Sequence, residues 1–214
     1  MEGVVIRDME EEDLAALKSL ILESFGDGWN LRRFDQGKSS FQALLEVYLS
    51  IFLNSSTFGR VAENEGRVIG AVLASVKGEV KKYRLMQKDI APNMLALLSA
   101  SKAERMDIIE HLSTSFQAIA QLLESSADIY DGSLEFIAVS KHKQGLKIGK
   151  ALWDEASAYF KSKNVNSLYL ITDSACNIGF YDNNAFSKVA GKEVTYNYTT
   201  GQKKFDIIIY DYSF

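Results

Sequence analysis

The stretch richest in chemical potential runs Ser140-Lys141-His142-Lys143-Gln144-Gly145-Leu146-Lys147-Ile148-Gly149-Lys150, directly after the apolar run Leu134–Val139. A glycine-bearing loop that enters a helix N-terminus leaves several amide N–H groups without partners and aims them at one spot. An anion is favoured there. Lys143, Lys147 and Lys150 add positive charge nearby. The same composition also suits an ordinary strand-to-helix turn, and the loop alone does not separate the two. Other reactive residues are sparse. The single cysteine, Cys176, has no histidine beside it in sequence, which argues against nucleophilic catalysis. One cysteine also excludes an internal disulfide and any Cys-based metal cluster. His111 and His142 lie far apart without metal-ligand spacing, so no metal is expected.

These residues need elements to position them. Val4–Arg7 reads as a strand, and the acidic run Glu10–Asp13 then suits the start of a helix with Leu14, Leu17, Ile21 and Phe25 on one face. After a turn-like stretch around Gly26, Gly28 and Gly37, a second helix near Ser39–Leu53 carries Phe41, Leu44, Leu45, Tyr48 and Phe52 on its buried side. Thr57–Glu63 and Arg67–Val76 read as strands joined by a tight turn at Asn64-Glu65-Gly66. Between about 78 and 130 there is little strand character. A short helix is expected around Met94–Ser99. A long amphipathic one follows, with Met106, Ile109, Leu112, Phe116, Ile119 and Leu123 packed into the core.

Beyond Gly132 the pattern changes to strand Leu134–Val139, helix Ile148–Lys163, strand Ser167–Thr172 and short helix Ile178–Asn183. Leu152, Trp153, Ala156 and Phe160 form the inward face of the longer helix. Strands near Val194–Tyr198 and Phe205–Tyr212 flank a turn at Gly201. Strand and helix alternate only in the 133–183 unit, which implies one parallel pair inside an otherwise antiparallel sheet.

With 214 residues, 47% of them apolar, the chain has material for the core of a single domain. A net charge of −4, spread along the sequence, argues against a nucleic-acid surface. The acidic start resembles no signal peptide, and the longest apolar stretch, Leu44–Leu53, is interrupted by Glu46. A cytoplasmic protein with no membrane span is expected.

The loop resembles the GCN5-related N-acetyltransferase (GNAT) family, whose pattern is Gln or Arg, two residues, Gly, one residue, then Gly or Ala. Gln144 and Gly149 match its ends, while Lys147 occupies the middle position where glycine is usual. Glycine there lets the backbone approach a pyrophosphate closely; a lysine in a right-handed helical conformation is the expected accommodation. Gly70 and the Ile6-Arg7-Asp8 start are also similar to the family. So is Phe180-Tyr181 followed five residues after the tyrosine by Phe186, with Ala185 in place of the usual glycine.

The resemblance implies a mixed α/β fold: a twisted, mostly antiparallel sheet with splayed parallel fourth and fifth strands and helices on both faces. The chain is then one domain, 1–214, with a helical insertion at about 78–130. The resemblance implies an acetyl-CoA-dependent N-acetyltransferase acting on a primary amine, from a small molecule or a peptide, by direct attack in a ternary complex. The alternative is a non-catalytic acyl-CoA-binding module of the same fold. By the same resemblance Gln144, Gly145, Leu146, Lys147, Ile148, Gly149 and Lys150 cradle the pyrophosphate. The amides of Ile137, Ala138 and Val139 pair with the pantetheine arm, and one of them supports the developing oxyanion. Phe180 with Ser174 or Asn177 contacts CoA, and Tyr181 protonates the departing thiolate. Glu135, placed by period two on the side of Ile137 and Val139, is a candidate base. Trp29 and Tyr48 are candidates for the acceptor pocket, and a homodimer is common among relatives.

Overall fold

The computed structural model describes residues 3–26, 39–84, 86, 91–124 and 129–214; the readings at Gly28, Trp29 and Gly37 lie outside these. Seven strands form one sheet, ordered β1-β2-β3-β4-β5-β7-β6. They are β1 (Val4–Asp8), β2 (Phe58–Asn64), β3 (Arg67–Val76), β4 (Gly132–Val139), β5 (Ser167–Asp173), β6 (Ser187–Tyr198) and β7 (Gly201–Ser213). The helices are α1 (Leu14–Phe25), α2 (Ser39–Ser55), α3 (Ala91–Ser99), α4 (Lys102–Leu123), α5 (Ile148–Ser162) and α6 (Gly179–Asp182).

Helices cover both faces of the sheet. On one face Leu17 and Ile21 of α1 and Phe41, Leu44 and Leu49 of α2 pack on Phe136 and Ala138 of β4. On the other, Ile148, Leu152, Trp153, Ala156 and Phe160 put the inward stripe of α5 against Val72, Leu134, Leu168 and Leu170. Gly70 of β3 is a point of close approach to β4 and α5. A Cβ there would lie 3.0 Å from the Ala138 carbonyl oxygen and 3.1 Å from Leu152 Cδ1. At the first hairpin, Asn64 pairs with Arg67 across Glu65 and Gly66, whose φ angles of 52° and 73° are those of a tight primed turn.

The decisive feature is the join of β4 to β5. Every pairing in the sheet is antiparallel except this one, and it holds only at Gly132↔Leu168 and Ser133↔Tyr169. Beyond those two residues β4 stays on β3 as far as Val139, while β5 stays on β7 as far as Asp173. The parallel strands therefore part, as the resemblance implied.

The inserted region contains α3 and α4, and α4 lies against β6. Ser101 caps α4, its hydroxyl accepting from the Glu104 amide at 3.2 Å. The helix forms as expected, and half of the expected inward stripe holds: Leu112, Ile119 and Leu123 are half-buried, with Leu112 and Ile119 packed against the core. Met106, Ile109 and Phe116 are exposed, whereas Asp107, Ile108, His111 and Ala118 are buried. Two polar anchors turn it. The Asp107 carboxylate accepts from the amide and hydroxyl of Thr199 at 2.6 and 2.9 Å, and His111 Nδ1 lies 2.8 Å from the Tyr198 hydroxyl. A polar face bonded to the β6–β7 hairpin outweighs the apolar periodicity.

Candidate active site

The parted strands open onto a cavity of about 770 Å³, well inside the size range of small-molecule and cofactor sites. Its walls are β4 at residues 137–139, Gln144 and Gly145 of the loop, Lys147 to Lys150 at the start of α5, the 175–177 loop and α6, with Ser24 and Phe25 of α1 at one side.

The amides of β4 divide by the alternation of an antiparallel ladder. The Ser140 amide donates to the Ile69 carbonyl at 2.8 Å, so Ser140 and, two residues back, Ala138 spend their main-chain groups on β3. The N–H groups of Ile137 and Val139 then point the other way, into the cleft. Of the three amides anticipated for this role, those of Ile137 and Val139 face the cleft and that of Ala138 faces β3.

The α5 N-terminus closes the far end. Lys147 is its N-cap, no side chain caps it, and its first amides are orphaned by helix geometry. Lys147 does not take the right-handed conformation expected of it. Its φ of 60° and ψ of 14° are left-handed, the region in which glycine is strain-free. Ala185, the other residue standing where the family usually has glycine, also has a positive φ, 63°. Both departures thus keep the backbone that glycine would adopt. Gly149 is needed for a different reason: a Cβ would meet the Phe180 ring at 3.2 Å. Lys150 is paired with Asp154, and Lys143 donates to Asn64 Oδ1 at 3.2 Å, so both ammonium groups are partly engaged beside the cavity.

Tyr181 lines the cavity and is otherwise buried, 8% exposed, with its ring against Phe180, Phe186 and Tyr210. Burial holds its phenol well above the usual value of 10, with the Cys176 sulfur adding to the shift and the Thr172 hydroxyl opposing it. Cys176 also lines the cavity, but its thiol is pushed up to about 12, first by burial and then by the charge of Asp173. A thiol held protonated this firmly is no nucleophile near neutral pH.

Three anticipated site residues lie elsewhere. Leu146 is exposed and does not line the cavity. Ser174 is drawn to β7, exchanging hydrogen bonds with the Asp206 main chain at 3.0 and 3.2 Å, so Asn177 is the polar residue of this pair at the cavity. Glu135 sits on the opposite side from the one period two implied. The β3–β4 register skips from Leu73↔Phe136 to Ala74↔Leu134, which makes Glu135 the extra residue of a β-bulge. The bulge turns its carboxylate towards Ser133, whose hydroxyl donates at 2.5 Å, and Ser55 at the end of α2, away from the α5 face that Ile137 and Val139 share. Burial raises its pKa above the usual 4.5.

Asp173 was not anticipated. A charged residue closing an otherwise apolar strand, next to the loop at the strand's carboxyl end, is the signal that could have found it.

Residues 116–186, about a third of the chain and spanning both motifs, match the model of the family described as Acetyltransferase (GNAT) family. No curated protein sequence matches the chain. Among solved structures, the ribosomal-protein-S18-alanine N-acetyltransferase of Escherichia coli aligns with a TM-score of 0.55 at 14% identity, covering 98% of this chain and 93% of that one. An agmatine N-acetyltransferase, a point mutant in its apo form, gives 0.58 at 12% identity over 100% of both chains. The PaiA N-acetyltransferase of Thermoplasma acidophilum, in complex with coenzyme A, gives 0.52 at 15% identity over 99% of both. The chain is a GNAT-fold protein whose 116–186 segment carries the family's match. Among the described residues, no helix is long and apolar enough to cross a membrane.

Proposed function

We propose that the protein is an acetyl-CoA-dependent N-acetyltransferase acting on a primary amine. The observation that carries this reading is the cleft itself. Two strands part after two residue pairs, and the opening gathers outward-facing amides, an uncapped helix N-terminus and a buried tyrosine around one cavity.

Acetyl-CoA, when bound, supplies an acyl group activated as a thioester. The amides at the start of α5, with Gln144, Lys147 and Lys150 beside them, hold a diphosphate. The Val139 amide pairs with an extended amide-bearing arm as a neighbouring strand would. The Ile137 amide, nearer the point where the strands part, holds the negative charge that develops on the acyl oxygen. Tyr181 stays neutral at physiological pH and donates its hydroxyl to the departing sulfur. Ordinary phenol and thiol values of ~10 and ~8.5 would make that proton nearly shared. Burial tilts the balance, so the phenol acts as a hydrogen-bond donor that retains its proton until the thiolate takes one. Holding both reactants in one cleft provides much of the acceleration. Support for an amine acceptor comes from the family match and from the fold shared with N-acetyltransferases.

The test is calorimetry with acetyl-CoA together with a screen of primary amines for thiol release. Binding with amine-dependent release is expected. Binding without release for any amine would indicate a non-catalytic acyl-CoA module, and failure to bind at millimolar concentration would end both readings.

A further inference from the structure

Helix α4 carries apolar side chains on its inner and its outer face. On the inner side Ile108 and Leu112 join the core beneath α1 and α2, while Ala118 and Ile119 pack with Val194 and Tyr196 of β6 and Ile207 of β7. On the outer side Met106, Ile109 and Phe116 remain 54%, 64% and 45% exposed. One apolar face is enough to seat a helix on a domain, so the second is surplus to the fold of a single chain. With 3.6 residues to the turn, Met106, Ile109, Ser113, Phe116 and Ala120 line up along one side of the helix. A row of exposed apolar side chains of this kind marks an interaction surface.

The row complements itself when it is reversed end to end. Counted from Ser113, Ile109 stands four residues before and Phe116 three after, Met106 and Ala120 seven to either side, and Lys102 and Glu124 eleven to either side. Reversal therefore sets isoleucine on phenylalanine, the long methionine on the small alanine, and an ammonium on a carboxylate. Ser113 at the centre is small, and its hydroxyl is satisfied within its own helix by the Ile109 carbonyl at 2.7 Å. The other charges of α4 are committed inside the chain. Glu104 accepts from the Ser40 hydroxyl at 2.6 Å, Arg105 donates to the Leu98 and Ala100 carbonyls at 2.8 and 2.6 Å, Asp107 accepts from Thr199, and Glu110 accepts from the Asn197 amide at 2.6 Å. Lys102 and Glu124 are exposed at opposite ends of the helix. A membrane surface selects a helix rich in cations. One cation and one anion, at opposite ends, fit an antiparallel copy of the same helix instead.

We propose that the outer face of α4 is a self-association surface whose occupant is α4 of a second copy of this chain, packed antiparallel about a two-fold axis at Ser113. The proposal is independent of the acetyltransferase reading. In a two-fold pair every contact occurs twice. The interface therefore holds Ile109 against Phe116, Met106 against Ala120 and Lys102 against Glu124, each in duplicate. A helix of 22 residues is about 33 Å long and about 10 Å wide. Contact along one such helix falls short of the roughly 800 Å² per partner of a standard stable interface. The association is accordingly weak and reversible, with a Kd of roughly 1–100 µM.

The experiment is sedimentation equilibrium of the full chain over a range that brackets this Kd. It compares wild type, Ile109→Glu, Lys102→Glu, Glu124→Lys and the double variant with both charges reversed. All four variants change exposed positions and are expected to melt within ~2 °C of wild type when dilute. Wild type is expected to show a monomer–dimer equilibrium. Ile109→Glu, which puts two carboxylates into the apolar centre, is expected to weaken it at least ~100-fold. Each single reversal sets two like-charge pairs face to face and is expected to weaken it ~10-fold, and the double variant to return within ~3-fold of wild type. Recovery in the double variant is the decisive result, because only a pairing that joins these two positions produces it. A wild type that stays monomeric, a dimer untouched by Ile109→Glu, or single losses that the double variant does not repair would overturn the proposal. Wild type that sediments with phosphatidylserine vesicles while monomeric in solution would assign the face to a membrane surface and overturn it equally. Should Ile109→Glu not fold, the charge variants decide alone.

Discussion

A single hydroxyl carries the sharpest chemical prediction. Tyr181 lines the cavity, its ring is clamped by Phe180, Phe186 and Tyr210, and burial keeps it protonated. Tyr181→Phe removes the donor and leaves the ring packing in place. Turnover is expected to fall by about 10²-fold, the lower end for loss of a positioned acid, with coenzyme A affinity within about 3-fold. Steady-state kinetics beside calorimetry reads both, and an unchanged kcat would take Tyr181 out of the reaction. Two residues nearby carry strain. Lys147 and Ala185 hold left-handed backbones at φ 60° and 63°. Ala185→Gly is expected to stabilise the fold by about 0.5–1 kcal/mol, the left-handed penalty less the entropy that glycine loses. Thermal unfolding should show this as a rise of about 1–4 °C. A lower melting temperature would mean that Ala185 is not strained. These φ values also explain why the substituted motifs were still readable: the residue types changed while the backbone kept the shape that glycine defines.

At the scale of an element, β4 shows where reading from sequence succeeds and where it stops. Its existence, its place before a glycine-bearing loop and its parallel partner all follow from local pattern, because an apolar run, a loop and an amphipathic helix are local properties. The facing of Glu135 does not follow. Period two assumes an unbroken ladder, and the bulge opposite Leu73 and Ala74 inverts the alternation at that residue. Helix α4 is legible only in part for the same reason: Leu112 and Ile119 face inward as expected, while Asp107 and His111 add a buried polar face by bonding to Thr199 and Tyr198, partners about ninety residues away. The bulge has a consequence for pH. Burial raises the pKa of Glu135 above 4.5, so the folded chain binds this proton more tightly than the unfolded chain does. Its contribution to stability is full below pH 4.5 and is lost as pH rises through the raised folded value. Glu135→Gln removes the cost of the buried charge while its carbonyl can still accept from Ser133. The variant is expected to unfold at higher urea than wild type at pH 7–8, with the difference shrinking below pH 4.5, and to keep turnover within about 3-fold. A large loss of turnover would restore Glu135 as the base.

At the scale of the molecule, the sheet is two blocks joined at a narrow seam. The block β1 to β4 and the block β5, β7 and β6 meet along the strand edge at the pairs of Gly132 and Ser133, extended by the Asp131 amide donating to the Ser167 carbonyl at 2.9 Å, with α5 packed on both. A ligand seated in the opening bridges them and stabilises the folded chain by mass action, about 2.7 kcal/mol at a hundredfold excess over Kd. For a chain of this length that is a rise of roughly 5–10 °C in melting temperature. Where the protection falls is the stronger test, because the ladder has already assigned the β4 amides. Ala138 is bonded to β3 and should exchange slowly with or without ligand. Ile137 and Val139 face the cleft and should exchange quickly in the free protein and slowly once coenzyme A is bound. Amide hydrogen exchange resolved by residue can read all three. Equal protection of Ile137, Ala138 and Val139 without ligand would mean that the strands close in solution. A ligand effect confined to other segments would mean that coenzyme A binds without using β4 as its edge.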